Sequence, residues 1–184
     1  GNRKVSIARE LTKIHEDIII SDLVNIDIII SKRNDGFHEM SSLFLPVPLT
    51  DVLEIIENPL SHKKCILETS GLSIPGDISD NLCYKAYQLL DQEFNLPPVK
   101  IYLHKVIPMG AGLGGGSADG AFCLSVLNKL FSLGITNKKL MEKAAKLGSD
   151  CPFFILNQPA LISGRGETVQ TIDFSKLDQY IIAL

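Results

Sequence analysis

The sequence has no tryptophan, only three methionines, and aromatic residues at 7% of its length. It also lacks any CxxC pair. Its four cysteines (Cys65, Cys83, Cys123, Cys151) are widely spaced and form no Cys/His cluster. That excludes the close ligand spacing of a structural zinc site, and each cysteine reads as a small buried hydrophobe in a reducing, cytoplasmic setting. No apolar run approaches the ~20 residues needed to span a bilayer as a helix. An excess of positive charge is missing too: 18 Lys and Arg stand against 21 Asp and Glu, for a net charge of -3. A chain that binds polyanions through bulk charge shows the opposite balance, so nucleic-acid and anionic-membrane partners are disfavoured.

What is present is an ordinary globular composition. Over 184 residues, 45% are hydrophobic and 21% charged, which rules out disorder. The length fits one domain, or one domain and a fragment. The chain opens Gly1-Asn2, has its first methionine at Met40, and stops inside the apolar run Tyr180-Ile181-Ile182-Ala183-Leu184. This reads as a fragment or a processed form.

The first third is strand-like. Ile18-Ile19-Ile20, residues 26–30 and residues 51–56 are β-branched runs, and Asp35-Gly36 marks a turn between the second and the third. Residues 3–17 suggest a short amphipathic helix. A second helix is predicted at about 81–94, capped by Asp80 and ended by Pro97-Pro98. Residues 99–107 alternate cleanly and predict a strand. A helix running to about Leu133 is apolar nearly all round and should be buried. Another is expected from Asn137 to Leu147, with Gly148 as a left-handed terminator. Strand-like stretches near 160–163 and 168–172 flank Gly164-Arg165-Gly166-Glu167.

Between the clean strand and the buried helix lies Pro108-Met109-Gly110-Ala111-Gly112-Leu113-Gly114-Gly115-Gly116-Ser117-Ala118. Each glycine costs roughly 0.5–1 kcal/mol relative to alanine in regular structure, so five within seven residues need a reason. An anion cradle supplies one: backbone N–H groups converge on a phosphate, and the following helix adds the positive end of its dipole. A merely permissive turn is the alternative. Gly110-Ala111-Gly112-Leu113-Gly114-Gly115 matches the dinucleotide pattern GxGxxG. However, Pro108 interrupts the approach from the strand, and no acidic residue ends a second strand about twenty residues on. No Lys follows the last glycine, so the loop is not a Walker A loop.

The block from Pro108 to Ala118 resembles the phosphate loop Pro-x-x-x-Gly-Leu-x-Ser-Ser-Ala of the GHMP small-molecule kinases. Its triple glycine is similar to that of the branch acting on 4-diphosphocytidyl-2-C-methyl-D-erythritol in non-mevalonate isoprenoid biosynthesis. Lys32-Arg33-Asn34-Asp35-Gly36-Phe37-His38-Glu39, Leu147-Gly148-Ser149-Asp150-Cys151-Pro152-Phe153-Phe154 and Gly164-Arg165-Gly166-Glu167 resemble three further family blocks, in the same order and spacing. The resemblance covers about residues 31–184. It implies an α+β fold: a GHMP-kinase N-terminal, nucleotide-binding domain over residues 1–160, with 1–30 atypical, and the beginning of a second α+β domain on the substrate side at 161–184.

The resemblance also assigns roles. Asp150, after a glycine and among apolar neighbours that partly desolvate it, would accept the proton of a substrate hydroxyl attacking the γ-phosphoryl of ATP. A helix N-cap is the plain reading of the same residue. Phe37 and His38 would engage the cytosine of the substrate, by stacking and by hydrogen bonding. ATP and Mg2+ are the implied cofactors, and no metal-ligating residue is assigned. The family's opening Pro-Ala-Lys-x-Asn-Leu is not reproduced: Asp22, in Ser21-Asp22-Leu23-Val24-Asn25, stands where the Lys would be. Asp119 replaces a frequent Asn. Three alternatives stay open: a nucleotide-binding module without transfer activity, a homoserine, mevalonate or sugar kinase of the same family, and a dinucleotide-binding domain.

Overall fold

The isoleucine-rich runs that read as separate strands are one. The computed structural model describes residues 18–32, 38–164 and 168–171, with the backbone alone at 18–32, 38–41 and 164. The helix expected at 3–17, together with Phe37 and residues 172–184, lies outside the described residues. Strand β1 (Ile18–Lys32) runs antiparallel to β2 (His38–Glu57), with irregularities at Ser21/Asp22 and Ile29/Ser31 that let the two runs join.

β2 is the spine of a six-stranded sheet. One edge holds β1. The other holds β4 (Val99–Lys105) against residues 52–57 and β5 (Ala160–Gly164) against residues 40–44. Pro46 and Pro48 fall in the stretch between these two partners, where a missing N–H breaks no ladder on that edge. β3 (Cys65–Gly71) runs parallel to β4, and β6 (Thr168–Thr171) closes the far edge against β5. The β5–β6 pair was legible from its flanking glycines. β3 was not: only Leu67 within it is buried, so it carries little apolar periodicity.

Among the described residues, four helices complete the fold. α1 (Leu82–Phe94) links β3 to β4, preceded by a 3-10 turn at Ile78–Asp80. Its cap is Asn81 and not the expected Asp80. Asn81 has the extended backbone of an N-cap and its side-chain oxygen accepts from the Cys83 N–H, whereas Asp80 closes the preceding turn. The helix ends at Asn95 in the left-handed region, before Pro97 is reached. α2 (Gly115–Leu130) is buried along most of its length, as its all-round apolarity predicts. α3 (Asn137–Ala144) stops short of Leu147, and Gly148 does not adopt a left-handed φ. The chain instead turns through Leu147 and Gly148 N–H groups that donate to the Ala144 carbonyl. The short apolar stretch beginning at Pro152 is a helix, α4 (Cys151–Leu156), with Asp150 as its N-cap residue.

The core lies between one face of the sheet and these helices. Val99, Ile101 and Leu103 of β4 point into it, beside Leu53, Ile55, Ala86, Leu90, Leu124 and Phe153. The next inward position of β4 is Lys105, which is buried as deeply as the apolar residues before it. Among the described residues, no helix is long and apolar enough to cross a membrane.

Candidate functional site

At the end of β4 the chain leaves the sheet and winds through three left-handed glycines before entering α2. Gly110, Gly112 and Gly114 have φ of 76°, 76° and 72°. A Cβ at Gly110 or Gly112 would meet no neighbour within 4 Å, so these glycines are required by backbone conformation and not by crowding. The alternation of left-handed glycines with ordinary residues turns successive N–H groups to one side, as an anion nest needs. Gly114 is the N-cap of the 16-residue α2, whose first N–H groups and positive dipole end therefore meet the loop.

The loop forms one wall of a cavity of about 390 Å³. Residues Pro108 through Ser117 all line it, and Ala118 is buried behind them. Residues of the segment 74–82 also line it, Ile74, Pro75, Ile78 and Leu82 among them, and so do Leu67 and Thr69 of β3. The lining therefore combines apolar side chains with the backbone of the glycine loop, and Asp77, Asp80 and Asp119 line it as well. The volume lies within the roughly 300–1,000 Å³ of ordinary small-molecule sites.

Asp150 approaches from the other flank of the loop. It does not line the cavity, but the turn that carries it leans on Ser117: a Cβ placed on Gly148 would lie 3.2 Å from Cys151 Sγ and 3.8 Å from Ser117 Oγ. The half-buried Asp150 carboxylate accepts from Ser149 Oγ at 3.2 Å and makes no capping bond to α4. Burial pushes the Cys151 thiol up to about 11, against the pull of its hydrogen bond with Ser117. For the other predicted residues the structure gives less. Phe37 lies outside the described residues, and His38 is placed at the first position of β2, opposite Lys32. Asp22 stands in β1 opposite Val47.

Sequence reasoning missed a buried ion cluster beneath the loop. Lys105 Nζ donates to Asp51 Oδ2 and, at 3.0 Å, to Asp119 Oδ2. Asp51 Oδ1 also accepts the N–H groups of Val106 at 2.5 Å and Ile107 at 3.0 Å. The three side chains are 0–4% exposed. Burial lowers the Lys105 pKa, but Asp119 and Asp51 outweigh it and hold the ammonium above its usual range. Burial raises Asp119 to about 7, opposed by Lys105 and aided by Asp51. A signal for this cluster exists in the sequence: Lys105 falls on the inward phase of β4, after Val99, Ile101 and Leu103.

The chain is similar to known proteins over most of its length. Residues 81–162 match the model described as GHMP kinases N terminal domain. Over 147 residues, 80% of the chain, the sequence is 52% identical to the 4-diphosphocytidyl-2-C-methyl-D-erythritol kinase of Bacteroides fragilis. Against the enzyme of the same name from Bacteroides thetaiotaomicron it is 48% identical over the same share. A crystal structure of 4-(cytidine 5'-diphospho)-2C-methyl-D-erythritol kinase superposes with a TM-score of 0.71 at 34% identity, covering 85% of this chain and 55% of that one. The chain spans about half the length of the curated relatives it matches, 54% of each of the two.

Proposed function

Because this chain belongs to the GHMP kinase family, we propose that it is the nucleotide-binding part of a small-molecule kinase. The reaction proposed is transfer of the ATP γ-phosphoryl group to the 2-hydroxyl of 4-diphosphocytidyl-2-C-methyl-D-erythritol, a step of isoprenoid precursor synthesis. The observation that carries the reading is the loop of three left-handed glycines at the head of α2, lining a cavity of about 390 Å³. Residues 1–160 form the nucleotide-binding unit in this reading, and 161–184 lead into the substrate side. Four free cysteines, three of them buried, are consistent with a cytoplasmic protein.

ATP would be taken as its Mg2+ complex, the metal supplying charge neutralisation of the polyphosphate, while the glycine loop from Gly110 to Gly116 would hold the phosphates. The chain's own contribution is positional and electrostatic. Backbone N–H groups from Gly110 to Gly116 hold the polyphosphate, helped by the α2 dipole, while residues 74–82 take the purine against their apolar surface. Asp150 accepts the proton of the substrate hydroxyl as the oxygen bonds to the γ-phosphorus and the bond to the bridging oxygen breaks. Phe37 and His38 hold the cytosine.

The test is ATP-dependent phosphorylation of this substrate by the purified chain and by Asp150→Asn. Turnover should fall at least ~100-fold in the variant, the lower bound for loss of a general base, with unchanged circular dichroism. Full activity of the variant would remove Asp150 from the mechanism. One observation favours a second reading, a module that binds the nucleotide without transferring phosphate: Asp22, opposite in sign to the Lys of the resemblance, stands in β1. Saturable ATP binding with no turnover would select it.

A further inference from the structure

The two stems of the phosphate loop are clasped from below. Lys105 precedes the loop by three residues and Asp119 follows its last residue, Ser117, by two, and their side chains meet at 3.0 Å. Asp51, reaching from β2, binds Lys105 and the N–H groups of the two residues between Lys105 and Pro108. The cluster therefore fixes both ends of the cradle. It is also unbalanced: two carboxylates share one ammonium in a space closed to water, directly behind a loop built to attract negative charge.

The donors are unequally divided. Asp51 accepts three hydrogen bonds, two from backbone N–H groups and one from Lys105. Asp119 accepts one, on Oδ2, and its buried Oδ1 meets no donor among the described residues. Asp119 is 3% exposed, yet it lines the cavity along with the loop. An ionised Asp119 leaves Oδ1 unsatisfied and puts a negative charge next to the incoming polyphosphate. A proton removes both problems, because it neutralises the second carboxylate and gives it a hydrogen to donate.

We propose that Asp119 is a positioning residue of the phosphate loop and that nucleotide binding draws a proton onto it. The inference rests on the nucleotide reading of the cavity. Among the described residues, the titratable groups acting on Asp119 are Lys105 from β4, Asp51 from β2 and Cys83 from α1. The Cys83 thiol is held well above its usual range, first by its hydrogen bond with Cys123 and then by burial, so it stays neutral and does not compete for the proton.

The test is calorimetric titration of MgATP into the full chain near neutral pH, in two buffers of different ionisation enthalpy, for wild type and Asp119→Asn. The nucleotide's own proton exchange is common to both proteins, so their difference isolates Asp119. Wild type should take up roughly half a proton more per nucleotide than the variant, and its relative affinity should fall as pH rises above neutrality. Equal uptake in the two proteins overturns the proposal. If the variant does not fold, carbon-13 carboxyl shifts of the wild type decide. The Asp119 titration should move upward on addition of MgATP, and a carboxyl that stays ionised in both states is fatal to the idea. Failure of the nucleotide reading looks different: wild type would give no binding isotherm at all, and the linkage would fall with it.

Discussion

Asp119 concentrates in one side chain the cost of building a charged clasp inside a core. Its carboxyl moves from an ordinary 3.8 to about 7 because burial disfavours the ion more than Lys105 favours it. The sign of the stability effect follows. Between these two values the folded state holds a proton that the unfolded state has released, so the contribution of Asp119 falls as pH rises through the window. The fall is at most ~4 kcal/mol at 1.36 kcal/mol per unit. Asp119→Asn has no such slope. Denaturant unfolding at pH 5 and pH 8 should therefore show wild type losing ground to the variant by a few kcal/mol, and a constant difference would count against the raised carboxyl. Asp150, by contrast, sits half-buried at a helix start, and among the described residues the hydrogen bond on its carboxylate comes from Ser149.

At the scale of elements, glycines do two different jobs around the same helix. Gly112 stands in open space with a left-handed φ, so Gly112→Ala introduces backbone strain of ~1–2 kcal/mol at the cradle. Gly120, one turn into α2, has ordinary helical φ, but a Cβ there would lie 2.7 Å from Leu82 Cβ on α1. Gly120→Ala forces the two helices apart and should cost ~1–3 kcal/mol of global stability. The pair separates function from fold. Gly112→Ala should weaken MgATP binding with a small change in melting temperature, while Gly120→Ala should lower the melting temperature markedly. Both are checked by calorimetry beside a melting curve, and the reverse pattern would mean that the loop, and not the helix contact, carries the fold.

For the whole molecule, the distribution of apolar residues makes the thiols inert. Cys83, Cys123 and Cys151 are buried, and Cys65, half-buried, is pushed up to about 12 chiefly by burial. Thiolate is the reactive form, so iodoacetamide at pH 8 should modify the native chain slowly and label all four cysteines once it is unfolded in urea. Mass spectrometry reads the count directly, and fast labelling of Cys83 or Cys151 in the native chain would contradict the packing described. The balance of charge has the same logic. A net charge of -3 fits the proposed reading, in which backbone dipoles in one place would hold the anion without a basic surface.

Local sequence determined what local physics controls. The alternation of Val99, Ile101 and Leu103 gave the strand, apolarity on every side gave the buried helix after it, and glycines too numerous for an ordinary turn marked the left-handed loop between them. The cap of α1 and the end of α3 were misplaced because Asp80 and Asn81 are equally good capping residues on paper, and because Gly148 answers to contacts with Cys151 and Ser117. Only the tertiary structure brought Asp51, 54 residues away in the chain, onto Lys105. It decided as well that Asp119 Oδ1 would meet no donor among the described residues. Long-range contacts leave no periodic mark in the sequence. A charge buried at an inward strand position becomes intelligible only when its partners are seen.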